Sequence, residues 1–292
     1  MKDSGRIAEE GVIYYATGYK YINQALFSAK SLKRENDTHV TIYTDQDVES
    51  AYVDNIVKIS ASDYPFYDRI TYFKQTPYEK TIYLDTDTFV AGDINPVFEL
   101  LDRVDIAAAF NESHNTAAQH TKFDTVEIDA PDSFPEYQCG VIGYQDNHDV
   151  QHFFDDWRDR YQPYKSENLL DQPHFRETLF QTDVAIGTLP TEYNSLVNFG
   201  GYLHGAVKII HYAGSSTKIR NDYSLTLNDF DELTALLNES APQDRIFYYN
   251  GWAPLVVRNS ANGGGPLSGI ITLLLDHGFI PTIKTGLTKY IS

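Results

Sequence analysis

Sulfur is nearly absent from this sequence: there is one cysteine, Cys139, and one methionine in 292 residues. A lone cysteine excludes an internal disulfide, and with it the stapled frameworks of small secreted folds. Positive charge is also scarce. With 23 Lys and Arg against 41 Asp and Glu, the formal charge is −18, which repels phosphate backbones and anionic lipid and argues against nucleic acid as the main partner. Long apolar runs are missing as well. Ile270 to Leu275 is among the longest, far short of the roughly 20 residues that a membrane-spanning helix requires. The opening MKDSGRIAEE lacks an apolar stretch of signal-peptide type, so a cytoplasmic setting is the expectation.

What the chain has is aromatic rings: 22 Tyr and 16 Phe. Rings of this kind bury large areas while Tyr keeps a polar tip, so the composition is that of a globular protein with a substantial core. Along the chain, GVIYYAT from Gly11 reads as a strand, Gly18 as a turn, and Asn23 to Arg34 as a helix broken at Asn36 and Asp37. His39 to Tyr43 is a second strand and Asn55 to Ile59 a weaker one. Strands alternating with helices imply an α/β fold with a mostly parallel, doubly wound sheet flanked by helices. A third strong strand, Thr81 to Leu84, stops on Asp85-Thr86-Asp87. Asn111 to Pro135 is polar and weakly periodic, the pattern of a long loop or lid. Tyr137 to Tyr144 then reads as a strand, Val150 to Tyr161 and Leu170 to Phe180 as helices, and Val207 to Tyr212 as a strand. The signal weakens after Lys218, where a Gly-rich loop at 263–265 and a helix over Leu267 to Leu275 are expected.

Ligand sites in open α/β sheets lie at the carboxyl ends of the strands, which is where Asp85 and Asp87 fall. In a strand continuing through both, the two carboxylates point to one side and can share a hard divalent cation that keeps positions open for phosphate oxygens. The run TIYLDTDT also fits the opening motif of haloacid dehalogenase-like phosphatases, in which the first Asp attacks phosphorus. Against that reading, the motif follows several strand and helix units, and the downstream acids around Asp146 and Asp149 are poorly placed.

Taken together, the segments from about Gly11 to Lys218 resemble nucleotide-sugar glycosyltransferases of the GT-A fold, a Rossmann-like α/β architecture, and most closely family 8, the glycogenin-like and galactosyltransferase-like group. The opening ATGYKYINQALFSAKSL is similar to that family's first strand-to-helix passage, which implies that Ala16, Thr17 and Tyr21 lie near the nucleoside. Arg69 matches a basic position used against the nucleotide. Asp85 and Asp87 match the metal-binding D-x-D, and His211 in VKIIHYAG matches the third ligand, implying Mn2+ or Mg2+. An imidazole beside two carboxylates suits manganese better than calcium. Lys218 falls one residue beyond the lysine that meets phosphate in the family. Gln138 and Gly140, in Tyr-Gln-Cys-Gly, match the strand lining the sugar pocket, with Gln where Asn is usual. Asp171 and Gln172 match the D-Q motif at the reacting sugar, and D-Q-P also suits a plain helix start with Asp as cap.

The resemblance implies a single transferase domain over 11–218 with an extension, 219–292, packed on it. It also implies metal-dependent transfer of a sugar from a nucleoside diphosphate to a glycan, lipid-linked or protein acceptor, with retention of configuration. A phosphatase using Asp85 and Asp87, or a non-catalytic carbohydrate-binding or scaffold protein of the same fold, are the alternatives. His148 and His152 are four apart, a metal-chelating spacing on a helix, but no Glu follows His148 and the pair reads as an exposed polar face. Cys139 reads as a small buried residue.

Overall fold

The structure, a computed structural model, describes residues 5–111, 126–167, 169–196 and 207–211, and the strand pairing of Ile246–Phe247 with Val256–Val257. The order is β1 (Ala8–Ala16), α1 (Tyr19–Glu35), β2 (His39–Thr44), β3 (Asn55–Lys58), α2 (Pro65–Phe73), β4 (Tyr78–Leu84), β5 (Thr88–Val90), α3 (Pro96–Leu101), β6 (Ile106–Phe110), β7 (Tyr137–Gln145), α4 (His148–Tyr161), α5 (Gln172–Gln181), β8 (Ile186–Leu189), β9 (Ser195–Leu196) and β10 (Ile209–His211). Seven strands form one sheet in the order β3-β2-β1-β4-β7-β6-β8. Most neighbours are parallel, and β7 runs antiparallel to both β4 and β6. This mixed, mostly parallel sheet matches the α/β expectation, with the antiparallel β7 the departure.

Alternation along β1 divides the core in two. Val12, Tyr14 and Ala16 pack toward Ile22, Ala25, Ala29 and Leu32 of α1 and Val97, Phe98 and Leu101 of α3. Ile13 and Tyr15 point the other way, into the layer built by α2, α4 and α5. That second layer holds the aromatic mass. Phe73 lies 4.5 Å from Tyr83, 5.5 Å from Phe154 and 5.9 Å from Trp157, ring centre to ring centre, and Trp157 lies 4.7 Å from Phe175. Large rings in contact bury the most apolar area per residue, and their tilted packing adds to it.

Local sequence explains where elements start. Gly18 has φ +82°, a left-handed conformation disfavoured for other residues, and its N–H donates to Asp45 Oδ1 at 2.7 Å,. The chain therefore turns directly off β1 and α1 begins at Tyr19, four residues before the periodicity suggests. Helices α2 and α3, not foreseen from periodicity, are short and each opens on a proline, where the missing N–H costs nothing,. Of the expected loop from Asn111 to Pro135, the later part is fastened to α5: Arg176 donates to the carbonyls of Phe134 (3.0 Å) and Pro131 (2.5 Å), and Gln181 to that of Asp129 (2.8 Å). Residues 112–125 of that loop, the Gly-rich loop at 263–265 and the helix expected over Leu267 to Leu275 lie outside the described residues, as does all of the 219–292 extension apart from the short paired strands. No described helix is long and apolar enough to cross a membrane.

His174 on α5 is enclosed between the rings of Tyr161 and Tyr164, 5.7 and 4.8 Å away, and neither ring nitrogen has a partner. Burial, with Arg160 adding to it, pushes its pKa down to about 4. A histidine that stays neutral when folded and protonates when unfolded makes stability fall as pH drops from the ordinary histidine value of about 6.5 toward 4. Urea titrations across that window should show a loss on the order of 2–3 kcal/mol from this group, and His174→Phe should flatten the slope. An unchanged slope would contradict the assignment.

Candidate active site

The carboxyl edge of β4 is where the expected residues meet. Asp85 and Asp87 do not continue the strand: β4 ends at Leu84, residues 85–87 form a turn, and β5 starts at Thr88. Alternation along a strand therefore does not bring the carboxylates together. The turn does, held by Asp85 N–H donating to Gly140 O (2.8 Å) and Thr88 Oγ1 donating to Asp85 O (2.8 Å). Gln24 of α1 accepts from Thr86 Oγ1 at 3.3 Å. His211 joins because β10 pairs antiparallel with β5, and the register sets His211 opposite Thr88, the residue after Asp87.

The three side chains face one another. His211 Nε2 is 3.3 Å from Asp87 Oδ1 and 3.7 Å from Asp85 Oδ2, and one ligand atom from each residue lies within 4.8 Å of the others. Metal–ligand bonds of ~2.0–2.2 Å leave adjacent ligand atoms roughly 3 Å apart, so this group needs only slight closure to hold a divalent ion. Burial alone would lower the His211 pKa, but Asp87 and Asp85 outweigh it and hold the ring above its ordinary value. Gly140 makes the space: a Cβ there would fall 2.1 Å from His211 Cε1 and 3.1 Å from Asp85 Oδ2. The oxygen-rich set with one imidazole fits Mn2+ or Mg2+ chemistry.

Arg69 ties this group to the D-Q motif. Its guanidinium is buried, donates to both oxygens of Asp171 at 2.7 Å each, and reaches Asp85 Oδ1 at 2.9 Å. Tyr83 also donates to Asp85 Oδ1, at 2.5 Å. Asp85 Oδ1 is thus covered while Oδ2 faces His211. Burial would lower the Arg69 pKa, but Asp171 and then Tyr83 and Asp85 hold it above its ordinary value, so the guanidinium stays charged. Asp171 does not cap α5; its carboxylate turns inward to Arg69 instead. Trp157 Nε1 fixes its backbone by donating to Asp171 O at 3.1 Å. Gln172, half-buried, donates from Nε2 to Glu136 Oε1 at 2.6 Å and accepts from Cys139 N at 3.4 Å.

The remaining expected residues separate. Ala16 is buried at the end of β1, Thr17 follows half-buried, and Tyr21 is exposed on α1 with Lys20 Nζ 5.0 Å from its ring centre. Gln138 is buried on β7. Lys218 lies outside the described residues. Two residues that sequence reasoning missed stand out. Asn194 Oδ1 meets His211 Nδ1 at 2.8 Å, and Asn194 Nδ2 donates to Gln138 Oε1 at 3.1 Å. With Gln138 fixing its amide, Asn194 presents oxygen to the ring, so His211 donates Nδ1–H to Asn194 and turns Nε2 toward Asp85 and Asp87, where it can ligate a cation once unprotonated,. Glu136, fully buried, also takes Asn111 Nδ2 at 2.6 Å and thereby orients Gln172.

No protein-family model matches the sequence, and no curated protein matches it. Solved structures do. The apo bifunctional glycosyltransferase WbbM superposes with TM-score 0.54 at 15% identity over 79% of this chain, which spans 52% of WbbM, about half its length. The galactosyltransferase LgtC, solved with donor and acceptor sugar analogues, superposes with TM-score 0.55 at 14% identity over 80% of this chain and 96% of LgtC. The fold is that of GT-A glycosyltransferases. The glycosyltransferase GlyE of Streptococcus pneumoniae TIGR4 adds a likeness at TM-score 0.50 and 21% identity, covering 79% of this chain and 63% of GlyE.

The Asn194 arrangement carries a test. Asn194→Ala should weaken Mn2+ binding roughly 10–100-fold, the usual cost of losing the group that orients a metal-bound histidine. Asn194→Asp, which keeps an acceptor for Nδ1–H, should retain most of the affinity. Electron paramagnetic resonance of free Mn2+ measures both, and an alanine variant binding as tightly as wild type would contradict the role.

Proposed function

We propose that this protein is a metal-dependent glycosyltransferase that moves a sugar from a nucleoside diphosphate to an acceptor hydroxyl. The observation that carries the reading is the meeting of Asp85, Asp87 and His211 at the carboxyl edge of β4, within a sheet of GT-A type. Three likenesses at the level of fold support it, each to a protein named as a glycosyltransferase. Retention of configuration is carried over from the family 8 resemblance.

When bound, a divalent cation supplies Lewis-acid stabilisation of the departing diphosphate without a proton. In this reading Asp85 Oδ2, Asp87 and His211 Nε2 hold that cation. Arg69 and Tyr83 pin Asp85 from behind, so the carboxylate is preorganised. Asp171 acts on the donor sugar largely through Arg69, whose charge also offsets phosphate, and Gln172 lies at the reacting sugar in the orientation that Glu136 imposes. Gln138 and Gly140 line the sugar pocket, while Ala16, Thr17 and Tyr21 sit beside the nucleoside and exclude water there. Lys218 is proposed to meet phosphate.

The phosphatase alternative loses ground on one point. Its nucleophile would be Asp85, whose Oδ1 is already covered by Arg69 and Tyr83. A non-catalytic role leaves unexplained why two carboxylates that repel stand together.

Incubation with a panel of nucleotide sugars and Mn2+ should release nucleoside diphosphate. Asp87→Asn should lower that turnover on the order of a hundredfold or more, comparable to removing one preorganised group that stabilises transition-state charge, while circular dichroism shows the fold kept. Wild-type protein that consumes no nucleotide sugar yet cleaves a simple phosphate ester would overturn the assignment in favour of the phosphatase.

A further inference from the structure

The exposed start of α4 carries a second cluster of metal-ligating groups, apart from the carboxylate centre. Asn147 caps the helix by accepting from Val150 N–H at 2.9 Å, which makes His148 its first residue. His152 stands one turn further on the same face. The spacing alone read as a solvated polar surface. The structure adds that the two rings converge edge to face, 4.3 Å between centres and 71° between planes, with Nε2 of one 3.1 Å from Nε2 of the other.

We propose that His148 and His152 form a two-imidazole site for a borderline divalent cation of the Zn2+, Ni2+ or Cu2+ class. Three observations support it. First, the spacing between the nitrogens fits a shared ion: bonds of ~2.0–2.1 Å place adjacent imidazole nitrogens roughly 2.9–3.4 Å apart, from octahedral to tetrahedral geometry. Second, Asp149 Oδ1 lies 3.2 Å from His148 Nδ1, so a carboxylate accepts the Nδ1–H hydrogen bond and leaves Nε2 as the lone-pair donor, the outer-shell support that metal-bound histidines use. Third, both rings are exposed, leaving water free to fill the other coordination positions.

Without an ion, the 3.1 Å contact is a hydrogen bond with one hydrogen between the two Nε2 atoms. His148 accepts and His152 donates. A cation replaces that proton when His152 shifts its hydrogen to Nδ1, with no net change in protonation. Ligand type separates this pair from the Asp85, Asp87 and His211 group. Nitrogen-only sites follow the order of affinity that favours Ni2+, Cu2+ and Zn2+ over Mn2+, whereas carboxylates suit Mn2+ and Mg2+. The net charge of −18 draws cations of either class toward the surface,.

The site is independent of the proposed transferase function, and its test keeps the two apart. Ni2+ is titrated calorimetrically into the full chain carrying His211→Gln, which removes the imidazole of the other centre, with and without His152→Ala. The chain with both α4 histidines should bind Ni2+ at least tenfold more tightly than the chain lacking His152. With Cu2+ as probe, paramagnetic resonance should show two coupled imidazole nitrogens in the former and one in the latter. His148→Ala should reproduce the loss. Matching isotherms with and without His152, with circular dichroism unchanged, would overturn the proposal.

Discussion

Two carboxylates that face each other beside a third buried one repel, and the architecture around β4 is organised by how that repulsion is balanced. Arg69 is the internal answer. One guanidinium grips Asp171 through Nε and Nη2 and Asp85 through Nη1, joining residues from α2, the turn after β4 and the start of α5. Removing either partner of such a buried pair strands a charge, at a cost of about 3–5 kcal/mol. Arg69 compensates only part of the charge, since Asp87 and the second oxygen of Asp85 stand opposite His211. In the metal-free chain the raised pKa of His211 lets a proton supply some of the rest. A divalent ion would supply more, and would release that proton as it bound.

The fold delivers these groups by packing on both faces of the sheet. The aromatic layer between the sheet and α2, α4 and α5 sets the position of α2, and therefore of Arg69. Trp157 serves twice, packing against Phe73 and Phe175 and holding the Asp171 carbonyl. On the opposite side, the short β5, β10 and β9 sheet brings His211 across the edge of the main sheet. Gly140 is where the two meet, since any side chain there would strike the His211 ring. A hydroxyl chain from Tyr14 through Ser28 to Thr88 runs beneath, at 2.9 and 2.8 Å, and ties β1 and α1 to the turn that presents both aspartates.

Much of this was legible in the sequence, for physical reasons. The strongest strands are continuous apolar runs, as strands buried on both faces must be, so β1, β2, β4 and β7 show plainly. The run that ends on Asp85-Thr86-Asp87 also marks the site, because a strand this apolar must stop where carboxylates begin. The mechanism of their convergence was not legible. A turn and a strand between the same residues look alike in composition, and the turn is set by Gly140 and by Thr88. Helices α2 and α3 were hidden by their shortness, since nine and six residues give too few repeats for a 3.6 period to show,. Asn194 and Glu136 left no signal. Each acts only through a partner brought near by folding, Asn194 through His211, 17 positions away, and Glu136 through Gln172, 36 away.

The central claim is that the three facing side chains form one cation site that also receives a diphosphate. Anomalous diffraction at the manganese edge, from crystals soaked with Mn2+ and a nucleoside diphosphate, addresses it directly. The account predicts a single strong peak within bonding distance of Asp85, Asp87 and His211 Nε2, with phosphate oxygens completing the shell and His211 Nδ1 still on Asn194. Crystals that bind the nucleotide elsewhere, or that leave the space between those three side chains without metal, would contradict it.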